Sequence, residues 1–523
     1  MGPDPLPRVP APLGRGLAFR SPPIDRSFER RVVVAGILIA AAYLVAALAS
    51  TSLPAGDRIG LWLPLHLALA GGASTAIAAV MPFFVAAFAA VPPADPRLRS
   101  AAVGLVAAGA LLVAGAMETG QGALAAIGGA TYISGIGATG LAVLRPVRRS
   151  LGPSRGLVTW AYGLGLLHVA AGGTLATLLL AGWLPMAEIW VAGKPTHAWL
   201  NLVGFVSLVI ATTLLHFFPT VIGARIAGRR TAQLTVAGVG GGASVAALGT
   251  LVGSDALAAL GALGVAAGAA GLVMNAAGVW RTRARWTTDA DWHRFAMGGL
   301  VSAIAWFAAG VAIAAARTVI HGAGPAGWST AAVAGPLVIG WLGITFLASA
   351  THLLPAVGPG SPVSHAAQRR ILGRGAAARL ALLDIGCLLL SAGLLLGVDD
   401  VARLGAGLTA IGAAATVLLL FAATLVGIRD PRPATRDRSA PPCSRRRTVA
   451  AAAAAGAASL LVAAACPRPG PHGRAARTGR NEERPAAGRA LQVAERVPAH
   501  PPPGGAGARH PRRPTSAGRR RRP

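Results

Sequence analysis

Histidine is the residue type whose placement in this chain points most directly to chemistry. Eleven occur in 523 residues, and several fall inside long apolar stretches. An ionisable group in hydrocarbon is expensive, so such a residue reads as functional by default. His66 and His197 each fall near one end of their apolar stretch. Together they could supply two axial imidazoles to a haem or two ligands to copper, because neutral imidazole suits both metals. The competing reading is a pair of interfacial histidines bonded to backbone or headgroups. His216 and His352 lie towards the opposite ends, each three residues before a proline, Pro219 and Pro355. They are further candidate metal ligands, or they satisfy the carbonyl that each proline leaves free. His168, near the middle of its stretch, is another candidate ligand. His197 and His216 are nineteen residues apart, about 28 Å along a helix, so they cannot share one metal. Asp384 is the one carboxylate well inside an apolar stretch. It reads as a proton relay, or as a partner for Asn275 or a backbone group. Met117 and Met186 are candidate auxiliary copper ligands on loops, against the plainer reading of packing. The three cysteines, Cys387, Cys443 and Cys466, form no CxxC and no zinc spacing.

The elements that must position these residues are membrane helices. The chain is 54% hydrophobic and 13% charged, against about 25% charged for ordinary soluble domains. Apolar runs fall at 32–50, 61–91, 101–117, 121–144, 157–183, 197–223, 232–252, 256–279, 294–316, 328–355, 376–398 and 402–428. Each is long enough, or nearly so, to cross a bilayer as a helix. The fold expected is therefore an all-α polytopic membrane protein, with a twelve-helix bundle over 32–428. The net charge of +30 comes from arginines in short loops and the C-terminal stretch, which speaks for a membrane protein and against nucleic acid. Every second loop is arginine-rich and the alternate ones are poor. Cytoplasmic loops keep Lys and Arg, so both ends of the bundle are expected in the cytoplasm, including the N-terminal segment 1–31, with the bundle in the plasma membrane. Trp62, Trp183, Trp190, Trp199 and Trp328 would mark the outer interface, and Trp160, Trp280, Trp286 and Trp292 the inner one.

Beyond the bundle lie a basic linker (429–447) and an alanine-rich run (448–465) that is a candidate thirteenth span. Residues 466–523 are dominated by Arg, Pro, Gly, Ala and His. That composition cannot form a core and predicts disorder; the abrupt change also reads as a GC-rich gene out of frame.

One stretch ties chemistry to architecture. Gly204-Phe205 is followed by ten residues and then His216-Phe-Phe-Pro219; Gly340-Trp341 is followed by ten residues and then His352-Leu-Leu-Pro355. Equal spacing of four such residues marks an internal repeat. The motif opening the sixth run, His197-Ala-Trp-Leu-Asn201-Leu-Val-Gly204-Phe205, resembles the haem–copper oxidase catalytic-subunit family. The stretches LHLALAGGASTAIAAVMPFF, THAWLNLVGFVSLVIATTLLHFFPT and AVAGPLVIGWLGITFLASATHLLPAV are similar to the membrane region of actinobacterial multicopper oxidase and copper nitrite reductase-like proteins. The resemblance covers about residues 30–430. It implies three equivalent groups of four helices, with the second, sixth and tenth corresponding. Those helices carry His66, the His197/His216 pair and His352. It also implies haem or copper, an electron donor, and a periplasmic copper protein or domain as partner. Trp199 stands where that family has a second histidine of a His-x-His pair, and the cupredoxin domains of the closer relatives have no counterpart here. The function expected is a haem- or copper-binding electron-transfer module, the membrane part of an oxidoreductase. The alternatives are a non-redox scaffold or copper-handling protein, and a twelve-span secondary transporter. The stretch 91–99 lacks the Gly-x-x-x-Asp-Arg pattern of major-facilitator transporters.

Overall fold

The computed structural model describes residues 26–430, apart from 55, 58, 90, 150–155, 227 and 285–292. Residues 1–25, the linker beyond residue 430, the candidate span 448–465, the tail 466–523, Trp286 and Trp292 lie outside the described residues.

Among the described residues, twelve helices are long and apolar enough to cross a membrane. They are α1 (Arg31–Ser50), α2 (Trp62–Phe88), α3 (Pro96–Thr119), α4 (Gly122–Arg148), α5 (Leu157–Leu180), α6 (Leu184–Val221), α7 (Arg229–Leu251), α8 (Asp255–Arg281), α9 (Arg294–His321), α10 (Pro325–Val357), α11 (Ala376–Leu396) and α12 (Asp399–Arg429). The chain is a multi-pass helical membrane protein. Arginines gather at one set of helix ends, among them Arg97, Arg145, Arg229, Arg281, Arg369 and Arg429; the other set carries Glu118, Glu188, Asp255, Asp399 and few cations. These are called below the arginine-rich and arginine-poor ends.

Burial separates the helices into layers. The most apolar stretches of α2, α6 and α10 are 61%, 72% and 72% buried, whereas those of α1 and α12 are each 22% buried. Every fourth helix is thus central. The same three contain π-helical segments, Leu67–Ala73, Trp199–Ser207 and Ala334–Gly343, and α7 contains a shorter one, Ala237–Gly241. The repeat seen in the sequence reappears here as geometry. Trp199–Ser207 leads into an α-helix over Leu208–Val221, and Ala334–Gly343 into one over Ile344–Val357, each of 14 residues and each carrying its His and Pro at the same place. In the wide turns of α2 and α6 a serine closes the ladder: Ser74 and Ser207 donate to the carbonyls of Leu69 and Leu202, five residues back.

Glycine sets the helix spacing where lipid provides no hydrophobic drive for association. A Cβ on Gly109 of α3 would lie 2.4 Å from the Tyr132 nitrogen of α4. On Gly261 of α8 it would lie 2.1 Å from the Ala246 nitrogen of α7, and on Gly405 of α12 2.2 Å from the Leu390 nitrogen of α11. These hairpins therefore pack backbone on backbone.

Three local expectations need correcting. The sixth helix begins at Leu184, not near residue 197, so His197 lies well inside it. Pro185 sits in the first turn, where its missing N–H costs nothing, and Glu188 and Lys194 ride on the helix. The stretch after α10 is not simply a basic loop: Pro362–Gly373 is a helix with a Ser361/Ser364 capping box. Trp199 and Trp328 are not interfacial anchors; they are 1% and 9% exposed and meet edge to face at 5.1 Å.

Candidate functional site

At the arginine-poor end, α2 and α6 bring His66 and His197 together. His66 is on the first turns of α2, just before its π-helical segment, and its Nδ1 lies 2.8 Å from the Trp62 carbonyl. His197 precedes the π-helical segment of α6, and its Nδ1 lies 2.9 Å from the Gly172 carbonyl of α5. A carbonyl only accepts, so each Nδ1 donates; in neutral imidazole that leaves Nε2 with its lone pair, the arrangement a metal-ligating histidine uses. The ring centroids are 6.2 Å apart with planes 19° from parallel. Two imidazoles on one ion at about 2 Å per nitrogen place their ring centroids up to about 6.3 Å apart. The observed separation lies just inside that limit.

Aromatic rings and one amide hold this pair. Trp62 stacks on His66 at 4.1 Å and Trp190 lies 6.1 Å from His197. Asn201 donates its amide to the His197 carbonyl at 2.8 Å. Its nitrogen is also 3.1 Å from His197 Nδ1, a contact between two donors once Nδ1 serves Gly172. Gly172 is what admits Asn201: a Cβ there would lie 2.2 Å from the Asn201 amide nitrogen. Among the described residues no three or more His, Cys, Asp and Glu side chains gather as a metal group.

The other candidates fall elsewhere. His168 is not left open as a ligand: Nδ1 is 2.8 Å from the Gly204 carbonyl and Nε2 is 2.7 Å from Ser244 Oγ. Both nitrogens are engaged, so the ring ties α5 to α6 and α7. Gly204 is the repeat glycine, and a Cβ there would lie 2.4 Å from His168 Nδ1. Its partner Gly340 makes way for Trp306 at 2.4 Å in the same manner. Met117 and Met186 are on helices rather than loops, and Met186 is 2% exposed, in the packing of α6.

At the arginine-rich end His216 and His352 do not stack on one another. His216 packs against Phe88 at 4.8 Å, and His352 against Phe217 at 5.5 Å and His293 at 4.6 Å. His293, just before α9, has its imidazolium pushed down to about 4, by burial first and then by His352 and Arg369. Asp384 of α11 does not pair with Asn275, which donates to Thr231 Oγ1 at 2.9 Å. Asp384 Oδ1 instead accepts from Ser302 Oγ and, at 2.9 Å, from Trp306 Nε1, both on α9.

Sequence reasoning missed Trp62, Trp190, Gly172, Ser302 and Trp306 as parts of these arrangements. Trp62 was findable, since a residue four before His66 lies on the same helical face. The others meet their partners through tertiary packing, which leaves no local pattern. No protein-family model matches the chain, and no curated protein matches it either.

Proposed function

We propose that this chain is a haem- or copper-binding electron-transfer module of the plasma membrane, resembling haem–copper oxidase catalytic subunits and working with a copper oxidase or nitrite reductase system. The observation that carries this reading is the facing pair His66 and His197, whose Nδ1 atoms are each held by a backbone carbonyl and whose ring centroids lie 6.2 Å apart. The central placement of α2, α6 and α10 supports the likeness to three groups of four helices. Haem iron or copper held by the two Nε2 atoms would supply one-electron transfer. The chain's own part is to fix both ring orientations through Trp62 and Gly172, and to flank the pair with the Trp62 and Trp190 rings. Basic loops stay in the cytoplasm, so the arginine-rich end is assigned to the cytoplasm and the histidine pair to the outer side, within reach of an external copper protein.

The test is a reduced-minus-oxidised visible spectrum with metal analysis on the detergent-purified protein and on His66→Ala and His197→Ala. The expected result is a haem band, or about one copper per chain, lost in both variants. No chromophore and no metal in the parent protein overturns the reading. In that case a non-redox scaffold or a secondary transporter takes its place. Copper without redox change would favour a copper-handling role, which the two-histidine arrangement also suits.

A further inference from the structure

A cavity of about 640 Å³ lies at the arginine-rich end, among the ends of α2, α5, α6 and α7. Its size falls within the range of small-molecule sites, roughly 300–1,000 Å³. Phe88, Leu215 and Ala232 contribute an apolar wall, and Thr159, His216 and the exposed Arg229 bring polar groups to it. Among its described lining residues there is no Asp or Glu. The first turns of α5 and α7 also line it, from Gly156 and Gly228 onward, and at both helices the N-cap residue is a glycine, which has no side chain to cap the leading N–H groups. Such N–H groups have no intrahelical partner and carry the positive end of the helix dipole. An apolar wall topped by an arginine and two glycine-led helix starts matches one kind of molecule, an amphiphile with an anionic head. The ends of membrane spans are where the headgroups of the surrounding bilayer lie.

We propose that this cavity binds an anionic phospholipid, with the phosphate at the Arg229 rim and the start of an acyl chain against Phe88 and Leu215. Such a site would join α2, α5, α6 and α7 through a lipid where their ends diverge. It shares no residue with the His66–His197 pair and stands or falls independently of any cofactor there.

The experiment uses the full chain, stripped of lipid by detergent exchange and then titrated with phosphatidylglycerol, phosphatidylcholine or inorganic phosphate. Thermal unfolding and native mass spectrometry are the readouts. Phosphatidylglycerol is expected to bind one-to-one and raise the unfolding temperature, with phosphatidylcholine weaker and phosphate alone without effect. Arg229→Gln should weaken phosphatidylglycerol about fivefold, the loss expected for one basic residue near anionic lipid. Ala232→Phe, which fills the cavity, should abolish one-to-one binding. Equal binding of the two lipids, or unchanged binding in Ala232→Phe, overturns the proposal. Full protection by inorganic phosphate overturns it too, leaving a site for a free anion. Should Ala232→Phe fail to fold, the exposed Arg229→Gln decides: undiminished phosphatidylglycerol binding rejects the site.

Discussion

His197 is held by two neighbours with different consequences. The Gly172 carbonyl accepts a hydrogen bond from Nδ1 and so sets which nitrogen is left for a ligand, while Asn201 fixes the backbone carbonyl beneath the ring. Loss of a group bonded to a ligating ring typically weakens metal binding by about tenfold to a hundredfold, and Asn201, which bonds the backbone beside the ring, belongs at the low end, about tenfold. Asn201→Ala should therefore lower copper or haem occupancy in a competition titration while leaving the fold intact; unchanged affinity would show that Asn201 only packs. His293 offers a pH readout at the other end. Its folded pKa, about 4, lies below the ordinary value of 6.5, so below pH 6.5 the unfolded chain binds the proton more readily. Stability from keeping this ring neutral is fully present above about pH 6.5 and is lost as pH falls towards 4. His293→Gln should flatten the dependence of unfolding temperature on pH across that window, and an unaltered profile would place the titration elsewhere. These residue pairings were only partly legible beforehand. The depth of His66 and His197 along their helices was readable. The partners of His168 and Asp384 were not, because a carbonyl from another helix or a serine across a helix interface has no sequence signature.

At the scale of elements, the π-helical segment of α6 aims His197. A π turn takes up one residue more than an α turn, so deleting Val203 should let the segment shorten to α and turn residues 184–198 by about 100° relative to the rest of the helix. Cysteines placed at 66 and 197 should cross-link with a short bifunctional reagent in the parent chain and fail to do so in the deletion, as read by mass spectrometry. Efficient cross-linking in both would mean that the wide turns do not set the pairing. Most helices were legible, since an apolar run of twenty residues flanked by arginines has one good interpretation. The start of α6 was not. Pro185, Glu188, Lys194 and Pro195 look like a loop when read one at a time, but both prolines have places in this helix, one in the first turn and one near the step into π geometry. The π segments themselves were invisible, because their hydrogen bonds differ from those of an α-helix without a change in composition.

For the molecule as a whole, close packing of small residues decides whether the bundle assembles. Gly261 faces the α7 backbone so tightly that a Cβ would lie 2.1 Å from the Ala246 nitrogen. Gly261→Val should drive α7 and α8 apart, cost about 1–3 kcal/mol or more, and lower the unfolding temperature in detergent. A mutation of equal size at Gly104, where nothing lies within 4 Å, should be tolerated; similar losses at both sites would refute the distinction. The burial of α2, α6 and α10 was not legible: the Gly–aromatic–His–Pro spacing links only the sixth and tenth helices, and hydropathy alone does not separate a central from a peripheral span. The repeated π segments carry a historical consequence. Ser207 and Gly343 end their wide turns nine residues before His216 and His352. One extra residue placed at the same point in two copies is most simply inherited, so it predates the duplication that produced them. The copies diverged afterwards: His197 stands where the later one has Val333, so of these two helices only α6 brings an imidazole to His66 of α2.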